Sequence, residues 1–159
     1  PLLALGTGRI EAAGVQFGYV PSPFAHDGCT HIEARGSSTI RIGEQSVLNN
    51  ACVLIAEGPG ITIGPRTLFG PEVMVFDSDF HGLHPEQRHS TPARARVLIG
   101  PNVFIGARSI VLKGVEIGEN SVIGSGSVVT SDVPANVIAA GNPCTVIRSL
   151  DPTSAEAAP

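Results

Sequence analysis

Aliphatic residues recur along this chain at every sixth position, at Ile99, Ile105, Val111, Ile117, Ile123 and Val129. A small residue usually follows each one, as at Gly100, Gly106, Gly118 and Gly124. The fourth place after it is small or β-branched, as at Val103, Ser109, Val115, Ser121, Ser127 and Val133. The same register runs upstream through Ile42, Leu48 and Leu54, slips by three around Glu57–Gly60, and resumes at Ile63, Phe69 and Val75. An amphipathic helix would repeat at about 3.6 residues and would not carry so many interior glycines. A period of six contains the strand period of two, so each hexad reads as a short strand with one aliphatic side chain inward, followed by a turn. Three hexads close a triangular coil of about 18 residues, and stacked coils pair through parallel backbone hydrogen bonds. The pattern predicts an all-β chain, a parallel β-helix running from roughly Ile40 to Pro134. A sandwich of short strands would instead need hairpin turns and irregular strand lengths.

Between Val75 and Ile99 the aliphatic register fails, because its places fall on His81, Gln87 and Ala93. Residues 77–96 are therefore expected to leave the helix as a loop, with Phe80 or Leu83 as its anchor. Long loops on rigid scaffolds are disproportionately functional. This one holds three of the five histidines (His81, His84, His89) with Asp77, Asp79, Arg88, Arg94 and Arg96. An imidazole suits proton abstraction near neutral pH, and either aspartate is a candidate to orient it and stabilise its charged form.

Composition narrows the picture further. With 159 residues, one domain is expected, and its core must be Val, Ile, Leu and Ala, since aromatics are 4% and Trp is absent. The net charge of −4 leaves no basic footprint for nucleic acid. No apolar run approaches the ~20 residues of a membrane span. No leader-like segment is read at the start, where Pro1 suggests trimming. Three scattered cysteines, Cys29, Cys52 and Cys144, argue against a disulfide framework and make a reducing, cytoplasmic setting the expectation.

The run IGPNVFIGARSIVLKGVEIGENSVIGSGSVVTSDVPANVIAAGNPCTVI closely resembles the C-terminal coils of hexapeptide-repeat acyltransferases. The chain is most similar to the branch holding galactoside and maltose O-acetyltransferases, nodulation acetyltransferases and serine acetyltransferase. The resemblance covers 40–150; residues 1–39 are expected to add an irregular first coil, and 151–159 a loose tail. It implies a left-handed helix, a hand that periodicity cannot supply. It also implies acetyl coenzyme A as co-substrate, no metal, and transfer to a hydroxyl of a sugar or polysaccharide precursor. His81 matches the family's catalytic base and Arg88 the arginine that follows it, with His84 the competing histidine. Asn49, in Leu48-Asn49-Asn50-Ala51-Cys52, matches an acceptor-binding asparagine. The coenzyme groove corresponds to Phe104, Gly106, Ala107, Gly124, Ser125, Thr130 and Arg148. Family members are homotrimers, which implies that His81 of one subunit faces the groove of the next.

Three positions depart from the family pattern. Phe104 stands where Trp is frequent, Ser131 where Lys is common, and Thr145 where Arg is frequent. Coenzyme phosphates would then rest on Arg108, Lys113 or Arg148. N-acylation of an amino sugar is the neighbouring activity on the same scaffold. A γ-type carbonic anhydrase would need three histidines around zinc. His84 and His89, like His26 and His31, have a suitable spacing, but the third ligand for His84 would fall near Leu48 and Asn49. A β-helix that only assembles is the remaining alternative.

Overall fold

The computed structural model describes residues 2–18 and 28–150. Its strands form three sheets. The first stacks β1 (Leu2–Leu5), β4 (Thr30–Ala34), β7 (Val53–Ala56), β10 (Met74–Phe76), β13 (Ile110–Val111) and β16 (Val128–Val129). The second stacks β2 (Arg9–Ala12), β5 (Thr39–Ile42), β8 (Ile61–Ile63), β11 (Val97–Ile99) and β14 (Glu116–Ile117). The third stacks β3 (Gln16–Phe17), β6 (Val47–Leu48), β9 (Leu68–Phe69), β12 (Phe104–Ile105), β15 (Val122–Ile123) and β17 (Val137–Gly141), and ends in β18 (Cys144–Ser149). The chain visits the sheets in rotation, so each circuit is one coil of a left-handed parallel β-helix. Only β17 and β18 pair antiparallel among the described strands.

Parallel register turns the six-residue period into columns. Leu54, Val75, Val111 and Val129 align on the first sheet. Ile42, Ile63, Ile99 and Ile117 align on the second. Leu48, Phe69, Ile105, Ile123 and Ala139 align on the third. All are buried. Each fully buried Val, Leu or Ile contributes about 1.5–3 kcal/mol, so the columns are the main source of stability.

The small residues at the fourth place fill the inner corners. Their polar atoms hydrogen-bond the neighbouring coil: Ser46 Oγ donates to Gly64 O at 3.1 Å, Ser109 Oγ to Gly124 O at 3.1 Å, and Ser121 Oγ to Pro134 O at 2.6 Å. Cys52 does the same to Gly70 O at 3.3 Å. Burial pushes its thiol up to about 12, which makes it a packing element rather than a nucleophile.

The expected irregular coil before residue 40 takes a different form. Strands β1 to β4 join all three sheets in parallel register, with Leu2↔Thr30, Ile10↔Ile40 and Phe17↔Leu48 among the pairs. Backbone pairing continues there without the strict six-residue spacing that made the later coils visible: Ala12 and Phe17, opposite Ile42 and Leu48, are five apart. The tail at 151–159 lies outside the described residues, as do His26 and the rest of 19–27.

Between the second and third sheets, one corner position adopts positive φ in successive coils: Gln45 (62°), Arg66 (58°), Asn102 (56°), Asn120 (61°) and Asn136 (58°). Asparagine is the best non-glycine occupant of this region. Here it also builds a ladder, Asn102 Nδ2 donating to Asn120 Oδ1 and Asn120 Nδ2 to Asn136 Oδ1, both at 2.9 Å. Asn120→Ala is therefore expected to cost about 1–2 kcal/mol, and more than Asn102→Ala, because it removes both rungs. Arg66→Asn, which offers the ladder another rung, should add about 0.5–1 kcal/mol. Urea denaturation at matched protein concentration checks both signs.

Candidate active site

The loop leaves the helix after β10, at the corner between the first and second sheets. Its two limbs are tied at the root by a bridge between Ser78 and Arg94, by Asp79 N donating to Ala93 O at 3.0 Å, and by Ala95 N donating to Asp77 O at 2.9 Å. Asp77 is fully buried, and its carboxylate accepts from the backbone N–H groups of Glu57 (2.8 Å), Gly58 (3.0 Å) and Gly60 (2.8 Å). The three-residue slip in the period is thus a widened corner whose amide groups converge on one carboxylate. That commitment removes Asp77 as the partner of an imidazole and leaves Asp79.

Beyond the root, Phe80 sits at φ 61° and packs edge-on against Phe76, ring centroids 5.4 Å apart. Phe80 is therefore the anchor, while Leu83 stands 71% exposed. A short 3-10 turn, Pro85–Gln87, follows, with His84 at its N-cap accepting from Glu86 N. His81, His84, Arg88 and His89 are all exposed. The cap gives His84 a local structural role that His81 does not share.

An open pocket of about 490 Å³ lies at the loop root, lined by Arg35, Ile55, Asp79, Phe80 and His81. Arg35 comes from β4's end and stacks over the Phe80 ring at 5.5 Å. Its guanidinium grips Glu33 through two nitrogens, at 2.8 and 3.1 Å, and reaches Glu57 at 3.3 Å. Those hydrogen bonds to Arg35, then the one to His31, hold the Glu33 carboxyl down at about 2. Burial opposes ionisation of Glu57, but Ser78 Oγ at 2.6 Å together with Arg35 and Arg94 outweighs it, and its pKa is lowered. Asp79 Oδ1 pairs with Lys113 Nζ at 2.9 Å, while its Oδ2 is buried without a hydrogen-bond partner among the described residues.

The expected acceptor and coenzyme residues mostly occupy a different edge, the corner between the third and first sheets. Asn49, Gly106 and Gly124 follow the inward Leu48, Ile105 and Ile123 at equivalent places in their coils, so they line one edge. Asn49 Oδ1 accepts from Asn50 N at 2.7 Å. Ala107 and Ser125 stack beside the two glycines, where Gly126 N donates to Ala107 O at 2.8 Å. A Cβ on Gly106 would lie 2.5 Å from Ser125 N, and one on Gly124 2.8 Å from Ala140 Cβ. Close stacking of coils alone therefore requires both glycines, and Gly106 is itself buried. Thr130 lies across the first sheet, at the loop's edge. Phe104 and Arg148 belong to the third sheet, Phe104 44% exposed beside Leu68 and Val122. Of the three cations considered for phosphate, Arg108 is paired with Glu72 at 2.6 Å and Lys113 with Asp79. Arg148 is exposed and donates to Ser149 O at 3.3 Å.

One chain thus brings His81 and Asp79 together, and separately Asn49, Gly106, Ala107, Gly124 and Ser125. The two groups stand at opposite edges of the first sheet, roughly 15–20 Å apart at about 3.3 Å per residue. Arg35, Ile55 and Phe80 were not legible as pocket residues, because they come together only through the stacking of β4, β7 and the loop. Among the described residues no three His, Cys, Asp or Glu side chains cluster in a metal-binding arrangement.

Comparison with known proteins bears on the family and the fold. The family model for the bacterial transferase hexapeptide (six repeats) matches residues 96–131. The galactoside O-acetyltransferase of Escherichia coli (strain K12) is 41% identical over 115 residues, 72% of this chain and 56% of its own length. That of Lactococcus lactis subsp. lactis (strain IL1403) is 38% identical over 117 residues, 73% of this chain and 56% of its own. A hexapeptide-repeat acetyltransferase from Vibrio cholerae O1 biovar eltor, solved with acetyl coenzyme A, superposes with a TM-score of 0.70 at 30% identity. It covers 87% of this chain, which in turn covers 72% of it. The chain belongs to the hexapeptide-repeat transferase family. It spans 56% of the length of the two galactoside O-acetyltransferases.

The depressed Glu33 carboxyl carries a pH signature. A group whose folded pKa lies near 2, against 4.5 ordinarily, adds stability that is present above about pH 4.5 and is lost as pH falls towards 2. Glu33→Gln should therefore be less stable than the parent at pH 6, with the gap closing between pH 4.5 and 2. Denaturation midpoints measured across that window decide it; a gap that is constant with pH contradicts the assignment.

Proposed function

We propose that this chain transfers an acetyl group from acetyl coenzyme A to a hydroxyl of a sugar or polysaccharide precursor, with His81 as general base. The observation that carries the reading is the placement of His81: exposed, on the long excursion between β10 and β11, beside a pocket it shares with Asp79. Coenzyme A would supply the acetyl group as a thioester. The His81 ring takes the acceptor's hydroxyl proton as that oxygen attacks, and the departing thiolate recovers a proton. Asp79 Oδ2 receives the other ring N–H, which orients the imidazole towards the acceptor. Arg88, His84 and Asn49 are the candidate acceptor contacts, and the similarity to galactoside O-acetyltransferases supports a saccharide there.

The strip at Gly106, Ala107, Gly124 and Ser125 consists of small residues along one edge and is the candidate seat of the pantetheine arm. Phe104 forms an apolar wall, Thr130 offers a hydroxyl, and Arg148 is the cation for the phosphates. Because the strip and His81 sit at opposite edges of one chain, the reading requires a homotrimer whose sites lie between neighbours. No helix among the described residues is long and apolar enough to cross a membrane. Free Cys29, Cys52 and Cys144 accord with a cytoplasmic setting.

His81→Ala should leave the melting temperature unchanged, since the ring is exposed, and lower turnover by about two orders of magnitude or more. Thiol release from acetyl coenzyme A, read against a panel of free and nucleotide-linked sugars, measures this. An unaltered rate with a verified acceptor sinks the assignment. Light scattering should give a mass near three times 16.4 kDa; a fully active monomer would exclude a shared site.

A further inference from the structure

The next coil passes directly under the loop's root and touches both limbs. Lys113 Nζ meets Asp79 Oδ1 on the outgoing limb at 2.9 Å, and Gly114 N donates to Ala95 O on the returning limb at 3.3 Å. The ion pair is largely withdrawn from water, with side chains 26% and 17% exposed for Lys113 and Asp79. Its second carboxylate oxygen is buried and has no partner among the described residues. A buried acceptor left open in this way is costly unless a donor completes it. His81, two residues on, lines the same pocket. The nearby cations are otherwise engaged, Arg35 with Glu33 and Glu57, and Arg94 with Glu57.

We propose that Lys113 is a positioning residue: from the following coil it fixes Asp79 so that Oδ2 stays open to the ring N–H of His81, and it is not a coenzyme ligand. The inference rests on His81 being the base. Without the ammonium, the Asp79 carboxylate loses the contact that fixes its rotamer. A carboxylate in an unfixed rotamer is a poorer acceptor for the imidazole. The same contact ties the loop to coils that begin beyond it, so loop position and coil stacking are set together.

The test uses Lys113→Met, Lys113→Arg and the double variant His81→Ala/Lys113→Met, with melting temperatures measured alongside kinetics. Lys113→Met should lower kcat by about tenfold or more with the KM for acetyl coenzyme A within about twofold, and Lys113→Arg should recover most of the loss. In the His81→Ala background, Lys113→Met should cost nothing further. A raised coenzyme KM at unchanged kcat would make Lys113 a phosphate ligand and overturn the proposal. So would a loss that persists in full without His81, or one that tracks only the fraction folded. If Lys113→Met does not fold, failure of Lys113→Arg to restore kcat in a folded protein overturns it equally. Full activity of His81→Ala alone would instead remove the general base, an outcome distinct from failure at Lys113.

Discussion

A chain that turns a corner at nearly every hexad must place a residue in the left-handed region at corner after corner, and the rest of the structure answers to that constraint. Among the described residues eight non-glycines at coil corners do so, each with φ near +60°. Such a conformation costs about 1–2 kcal/mol for an ordinary side chain. The stacked aliphatic columns offset it, and so do the corner amides: Arg66 N, Asn102 N, Asn120 N and Asn136 N each donate to the preceding coil. Corners are consequently the most determined points of the backbone. They are also where side chains project from the prism, so a rigid edge is a natural support for chemistry.

How far the sequence discloses this depends on whether a feature repeats. Ile99 through Val129 announce the columns because every coil imposes the same demand on them. The strands β1 to β4 obey the same backbone pairing, yet they break the six-residue spacing and vary in inward residue, so Thr30–Ala34 reads as strand-like while its place in the period does not show. Handedness had no local signal at all. The slip at Glu57–Gly60 was visible as a gap, but its cause lay 17 to 20 residues away, in the Asp77 carboxylate that gathers three amides. A widened corner without a compensating acceptor would leave three donors unsatisfied, so the slip and the aspartate are one feature read in two places.

The site shows the same division. His81 could be singled out because it stands where the period fails and where the family resemblance points. Arg35 could not, since nothing in Glu33-Ala34-Arg35 signals that β4 ends beside a loop more than forty residues later. The candidate residues for coenzyme and acceptor are brought into line by the helix pitch, but on the far edge of the first sheet from the imidazole. Sequence reasoning ranks residues by type and place along the chain; it carries no measure of which edge each occupies. The separation within one chain is what gives an assembled site its physical motive.

Charge around the loop root is arranged to be spent locally. Arg35 and Arg94 are balanced by Glu33 and Glu57, and Lys113 by Asp79, so no cation of this cluster is left over for a distant anion. Partly exposed pairs of this kind add little net stability, because solvent screening and the ordering of long side chains offset their attraction. Their value here is geometric. They bind strands from three coils to the two limbs of a loop that otherwise has few apolar contacts, and they leave one acceptor beside the histidine, Asp79 Oδ2, without a donor among the described residues. An exposed ring on a mobile tether would sample many orientations at an entropic cost on each turnover. A ring two residues from a clamped aspartate starts from few, and that restriction is what the break in the period makes possible.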